Sequence, residues 1–79
     1  MKKELLMPKL RPEMEKGTLC AWLKDEGEEV HAGDALYEVE TDKVVNQIDA
    51  TEDGILIKQL AEEGDIVPAG APVAILQTK

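Results

Sequence analysis

The chain has 79 residues, a length that suits one domain with a modest two-layer core and is too short for a deep catalytic cleft. Nine basic and seventeen acidic side chains give a formal net charge of −8. This balance argues against nucleic-acid phosphates or an anionic membrane as partners and favours basic protein surfaces. Cys20 is the only cysteine and no signal peptide or membrane span is recognisable, so we expect a soluble protein of a reducing compartment.

Short apolar segments separated by Gly, Asp and Pro predict β-strands along the whole chain. The first covers residues 5–7, and the second covers 17–24, where alternation places Leu19, Ala21 and Leu23 on one face. Further strands are predicted at 35–40, 44–49, 54–60 and 73–76, with very short ones around Val30 and Val67. No helical period of useful length occurs, so the sequence predicts an all-β fold.

The chain contains an internal repeat with an offset of 37 residues. Residues 26–33, Glu-Gly-Glu-Glu-Val-His-Ala-Gly, resemble 63–70, Glu-Gly-Asp-Ile-Val-Pro-Ala-Gly. Gly27 and Gly64 each follow an acidic residue at a predicted chain reversal, where positive φ is expected. The repeat predicts a flattened barrel or sandwich of two four-stranded sheets with quasi-twofold symmetry, a barrel-sandwich hybrid. We expect one domain over residues 1–79, with its core at about 4–77.

The two halves join at Thr41-Asp42-Lys43, between two predicted strands. Asp tolerates turn conformations and can bond to its own local backbone. A two-residue Asp42-Lys43 turn therefore places Lys43 at the tip of a hairpin. The pair lacks the Gly that primed turns favour, which leaves the turn type open.

Most of the chain, from about Leu5 to Leu76, resembles the lipoyl domains of the acyltransferase components of 2-oxo acid dehydrogenase complexes. The residues that carry the resemblance are Met7-Pro8-Lys9-Leu10, Glu15-Lys16-Gly17-Thr18-Leu19, Trp22-Leu23, Glu26-Gly27-Glu28-Glu29-Val30, Ala32-Gly33-Asp34, Glu38-Val39-Glu40-Thr41-Asp42-Lys43, Gly54, Glu63-Gly64-Asp65 and Val67. The resemblance implies a carrier domain without catalytic residues of its own.

By this resemblance, Lys43 carries lipoic acid in an amide bond to its side-chain nitrogen. Such an arm visits several active sites, and tethering raises the effective concentration of the carried group at each. The implied partners are a thiamine-dependent 2-oxo acid dehydrogenase, an acyltransferase domain, the flavin-dependent dihydrolipoamide dehydrogenase and the lipoate-attaching enzyme. We expect a monomeric isolated domain, in the bacterial cytoplasm or, for a eukaryotic source, in the mitochondrial matrix.

The residues beside Lys43 are expected to guide these partners to the correct domain. The resemblance assigns recognition to Glu40, Thr41, Asp42, Val44 and Val45. The competing interpretation is that Thr41 and Asp42 only shape the turn and that the two valines only pack the strands. In the family the loop after the first strand lies close to the lysine; here it is residues 11–16, which we expect to tune partner choice.

The remaining candidates for chemistry are interpreted as structural. Cys20 lies in an apolar stretch and is expected to be a packed residue rather than a redox group. Trp22 and Tyr37 are expected to pack in the core. His31 lies alone near a turn without further ligands, so no metal site is expected.

Two rival functions share this fold. A biotin carrier domain also modifies a hairpin lysine, but those domains resemble Ala-Met-Lys-Met at the site, whereas Asp42 and Val44 flank the lysine here. An unmodified hybrid-sandwich interaction module needs no lysine at the tip. An enzyme that uses Lys43 for a Schiff base would have to desolvate that lysine, which a wet turn does not allow.

The sequence leaves the identity of the complex open. Residues 7–23 favour pyruvate, branched-chain or acetoin-type complexes, whereas Lys43-Val44-Val45 also occurs in 2-oxoglutarate types. Asn46 shares a predicted face with Val44 and Ile48, where many family members have an apolar residue. The sequence is compatible with an excised domain and with a free-standing carrier.

Overall fold

A computed structural model describes residues 1–10 and 14–78 and contains eight β-strands. They are β1 (Lys2–Leu6), β2 (Lys16–Trp22), β3 (Glu29–Val30), β4 (Ala35–Thr41), β5 (Val44–Asp49), β6 (Gly54–Gln59), β7 (Ile66–Pro68) and β8 (Pro72–Thr78). No helix occurs among these residues, and accordingly none that could cross a membrane. The predicted all-β fold is confirmed.

The strands form two antiparallel four-stranded sheets, ordered β1-β8-β6-β3 and β5-β4-β2-β7. The pairing register obeys the 37-residue offset: Leu19 faces Val39 as Leu56 faces Leu76, and a β-bulge follows in both strand pairs. Each strand of one sheet thus has a counterpart in the other, and the predicted quasi-twofold arrangement is confirmed. The two chain ends meet at the position that the quasi-twofold symmetry relates to the β4–β5 hairpin. There the backbone N–H of Thr78 donates to the carbonyl oxygen of Met1 at 2.8 Å.

The two halves of the chain exchange their shortest strands. β3, from the first half, pairs with β6 of the second, and β7 pairs with β2 of the first. The acidic residue before each turn glycine strengthens the exchange. Glu63 accepts the backbone N–H of Trp22, and Glu26 accepts that of Gln59, both at 2.8 Å. Part of the acidic composition therefore serves the fold.

The turn glycines complete the same contacts. Gly27 and Gly64 have φ of 88° and 97°, which confirms the predicted positive φ. The N–H of Gly27 donates to the carbonyl of Leu56 at 2.6 Å, and that of Gly64 donates to Leu19 at 2.7 Å. Each turn is thereby fixed on the strand of the opposite half.

The core lies between the sheets. Its fully buried side chains include Leu19, Val30, Val39, Leu56, Val73 and Leu76, together with Met7 from the loop after β1. Trp22 and Tyr37 are in contact, with ring centroids 5.2 Å apart, and burial raises the pKa of Tyr37 to about 12. The Trp22 indole N–H donates to the carbonyl of Ala61 at 3.0 Å. Their predicted packing role is confirmed.

The predicted shared face of Leu19, Ala21 and Leu23 is wrong. Leu19 is buried and faces Val39, but the bulge shifts the register so that Ala21 faces Glu38. A bulge adds one residue and reverses the inward and outward alternation beyond it. Trp22 therefore packs on the core, and Leu23 is exposed beyond the end of β2. The first strand also begins earlier than predicted, at Lys2, because it pairs with Gln77 of β8.

At two strand positions, neighbouring atoms lie so close to the backbone that only glycine fits. A Cβ at Gly17 would lie 2.7 Å from Val39 Cγ1 and 3.1 Å from Met14 Cε. A Cβ at Gly54 would overlap the backbone carbonyl oxygen of Gln77. Side chains can rotate away, whereas a paired backbone cannot, so the second position is the more restrictive.

We therefore expect Gly54→Ala to lower the free energy of unfolding by about 3 kcal/mol and Gly17→Ala by about 1 kcal/mol, the two ends of the usual overpacking range. Urea denaturation followed by Trp22 fluorescence measures both. Equal losses at the two positions would contradict the assigned backbone overlap.

Candidate functional site

The hairpin between β4 and β5 is a two-residue turn. Thr41 pairs with Val44, and the residues between them, Asp42 and Lys43, have φ of 48° and 66°. Positive φ at both central positions is the mark of a type I′ turn, whose twist matches that of the flanking strands. The turn is therefore of type I′. Both of its central residues lie in the left-handed region of backbone conformation, which non-glycine residues rarely occupy.

Lys43 is exposed at this tip, and no ion pair to it is found among residues 1–10 and 14–78. Thr41 behind it is 9% exposed and packs near Gly17, so its methyl group anchors the turn to β2. The backbone of the turn is therefore held while the lysine side chain extends into water. An amine in this position is reachable by an enzyme from several directions.

The other predicted recognition residues lie on both faces of the hairpin. Glu40 and Asp42 are exposed. Val45, 53% exposed, faces Glu40 across the strand pair on the outer face of the sheet. Val44, 58% exposed, lies on the opposite face and lines a hollow of about 140 Å³ with Leu10, Thr41 and Asn46. Both valines are more than half exposed, so neither is a buried core residue.

A shallow groove of about 400 Å³ runs beside the tip on the outer face. It is lined by Met14, Glu15, Lys16, Gly17, Thr18, Glu40, Thr41, Asp42 and Ile66. From the sequence, Ile66 received no role; it lies in the very short strand predicted around Val67. The signal that could have found it is the repeat, which aligns Ile66 with the charged Glu29.

The described part of the loop after β1 lies against the hairpin, as the family resemblance implied. Leu10 reaches the hollow beside Val44, and Met14 packs near Gly17 and lines the groove. Arg11, Pro12 and Glu13, which belong to the loop expected to tune partner choice, lie outside the described residues.

The remaining candidates lie elsewhere. His31 is exposed and its Nε2 lies 2.9 Å from Glu29 Oε1. Cys20 is half-buried at the bulge of β2, with its Sγ 3.6 Å from the carbonyl oxygen of Thr18. In the part of the chain that the structure describes, no group of three or more metal-ligating side chains comes together.

Comparison with known families gives one match that spans almost the whole chain. The biotin/lipoyl family model, described as "Biotin-requiring enzyme", matches residues 3–76. This range includes both sheets and the hairpin that bears Lys43.

Two curated relatives are pyruvate dehydrogenase components. The mitochondrial pyruvate dehydrogenase protein X component of Mus musculus is 56% identical over 61 residues, which cover 77% of this chain and 12% of that protein. The pyruvate dehydrogenase E1 component subunit beta of Rhizobium meliloti is 45% identical over 74 residues, which cover 92% and 16% respectively. The chain thus spans less than a fifth of the length of these two relatives.

Solved structures agree. The lipoyl domain of the 2-oxoglutarate dehydrogenase complex from Azotobacter vinelandii matches with a TM-score of 0.77 and 32% identity, covering 92% of each chain. A single-chain, multi-domain long-chain acyl-CoA carboxylase matches with a TM-score of 0.82 at 20% identity, covering 99% of this chain and 7% of that one, which shows a shared fold. The chain belongs to the biotin- and lipoyl-attachment family, and within it to the lipoyl domains that serve 2-oxo acid dehydrogenase complexes as non-catalytic carriers.

Proposed function

We propose that Lys43 is the residue that carries lipoic acid, and that the domain moves acyl groups and reducing equivalents between the active sites of a 2-oxo acid dehydrogenase complex. The observation that supports this assignment is the position of Lys43 at the tip of a type I′ hairpin, exposed and clear of ion pairs to the described residues. Of the other described lysines, Lys2, Lys3, Lys16 and Lys58 lie in strands, Lys24 lies in ion pairs with Glu28 and Asp34, and Lys9 lies in the loop after β1 rather than at a hairpin tip.

The local structure fits a covalently attached arm. Once ATP has activated the carboxyl group of lipoic acid, the deprotonated Lys43 Nζ attacks the carboxyl carbon, the C–O bond to the activating group breaks and the amide forms. The ammonium charge is lost, which costs the fold no ion pair to a described residue. When attached, the dithiolane supplies a disulfide that can be reductively acylated and later reoxidised. Strand pairing on both sides of the turn fixes its backbone, so the rotatable bonds of the arm are those of the lysine stem and the attached group.

The flanking residues favour lipoate over biotin. Lys43 lies between Asp42 and Val44, in contrast to the Ala-Met-Lys-Met pattern of biotin carriers. The curated relatives cited are pyruvate dehydrogenase components, whereas the carboxylase neighbour at 20% identity supports only the fold.

The partners follow from this role. We assign a thiamine-dependent 2-oxo acid dehydrogenase, an acyltransferase domain, dihydrolipoamide dehydrogenase and a lipoate-attaching enzyme, with Glu40, Thr41, Asp42, Val44 and Val45 as the residues that present the lysine to them. The compartment is the bacterial cytoplasm or the mitochondrial matrix; the mouse relative is itself mitochondrial.

Incubation with a lipoate-attaching enzyme, ATP and lipoate should add one lipoyl mass to the protein, and peptide mapping should locate it on Lys43. Lys43→Arg should remain unmodified because its guanidinium cannot form the amide. Lys58→Arg is the matched control, because Lys58 is also exposed but lies in β6, and it should be modified at the wild-type rate.

The assignment fails if another lysine takes the group in the wild-type protein. It also fails if a biotin ligase labels Lys43 as efficiently as the lipoate-attaching enzyme does.

Position on the turn should matter as much as the presence of a lysine. Exchanging the two tip residues, Asp42→Lys with Lys43→Asp, keeps composition and charge and moves the amine by one residue. We expect an unchanged circular-dichroism spectrum and a rate of modification at least about tenfold lower, equivalent to about 1.4 kcal/mol of lost recognition. Modification of the exchanged variant at the wild-type rate would show that position does not guide the enzyme.

A further inference from the structure

Residues directly opposite each other in antiparallel strands project from the same face of a sheet. On the outer face of the lysine-bearing sheet, Ile66 pairs with Thr18, Thr18 pairs with Glu40, and Glu40 pairs with Val45. These four residues form a row across all four strands, called here the outer row. It crosses β4 at Glu40, three residues before Lys43, and three of its members line the 400 Å³ groove.

The outer row has apolar ends that solvent reaches. Ile66 is 63% exposed and Val45 is 53% exposed. The centre is acidic, since Glu40 lies in the row and Glu15 and Asp42 line the groove, where Lys16 is the one cation among the described lining residues. Single exposed apolar residues are common on protein surfaces, so their exposure alone decides nothing.

The internal symmetry supplies the deciding comparison. The 37-residue offset relates three members of the outer row to residues of the other sheet, and β5 corresponds to β1. The equivalent row in the other sheet, in the same order, is Glu29, Ile55, Gln77 and Lys2. The ends of that counterpart are thus Glu29 in place of Ile66 and Lys2 in place of Val45. The same scaffold therefore folds with charged residues at both positions, and the fold does not require the isoleucine and the valine beside the lysine.

We propose that the outer row is the docking surface for the lipoate-attaching enzyme, with Ile66 and Val45 as paired apolar contacts on either side of an enzyme basic side chain that faces Glu40. This rests on the proposed function of Lys43. The chain has eight lysines, and the enzyme must select one of them. A contact surface held by strand pairing lies at a fixed distance from the turn and can supply that selection.

Ile66 comes from the second half of the chain and Val45 from the strand that follows the lysine. Because β7 is exchanged onto β2, the outer row forms only when the whole domain has folded. The enzyme would thereby recognise the folded domain rather than the local sequence around the lysine.

The test is steady-state kinetics of lipoate attachment with Ile66→Glu, which installs the residue found at the equivalent position of the other half. We expect KM for the domain to rise about tenfold with kcat nearly unchanged, the signature of lost binding rather than lost chemistry. Ile55→Glu is the matched control, with the same charge change on the outer face of the opposite sheet, where Ile55 is 45% exposed. It should leave both constants at their wild-type values.

Two milder variants, Ile66→Thr and Val45→Thr, keep a β-branched residue and should each raise KM by about threefold. Circular dichroism and thermal unfolding verify that every variant is folded. The docking proposal is overturned if folded Ile66→Glu and Ile66→Thr both have wild-type KM, if kcat alone falls, or if Ile55→Glu raises KM as much. Absence of any modification of wild-type Lys43 would instead overturn the proposed function.

Discussion

The short strands β3 and β7 pair with the other half of the chain, as β1 and β5 also do, and the rest of the molecule depends on this exchange. Neither half can complete a four-stranded sheet without it. The acidic residue and glycine of each preceding turn bind the backbone of the opposite half, so the turns are tertiary contacts as well as chain reversals. The β4–β5 hairpin lies where the two halves join, and its position is fixed by both.

The tip combines a backbone fixed by strand pairing with a side chain exposed to solvent. Non-glycine residues in the left-handed region cost about 1–2 kcal/mol each, and two such residues follow one another here. The β4–β5 ladder from Thr41 to Asp49 and the burial of Thr41 hold this conformation. The amine of Lys43 therefore extends from a defined point of the fold into solvent.

Much of this architecture could be predicted from the sequence because the repeat is visible in it. Matching glycines and apolar positions at one offset predicted the number of sheets, their symmetry and the hairpin at the junction. The bulge at Cys20 could not be predicted, because an extra residue does not change the composition of an apolar stretch. For this reason Leu23 was assigned to the wrong face of the strand. Ile66 was missed because β-propensity does not distinguish an isoleucine that faces the core from one that faces water.

The two chain ends lie side by side, which determines where a polypeptide attached to either end would leave the domain. Lys3 pairs with Glu52, which follows the far end of β5, and the six residues of β5 place that end roughly 20 Å from the hairpin. Polypeptide joined to either end would therefore leave from the pole opposite the lysine. A rotation about such an attachment would therefore displace the hairpin tip more than it displaces the strand ends near the attachment.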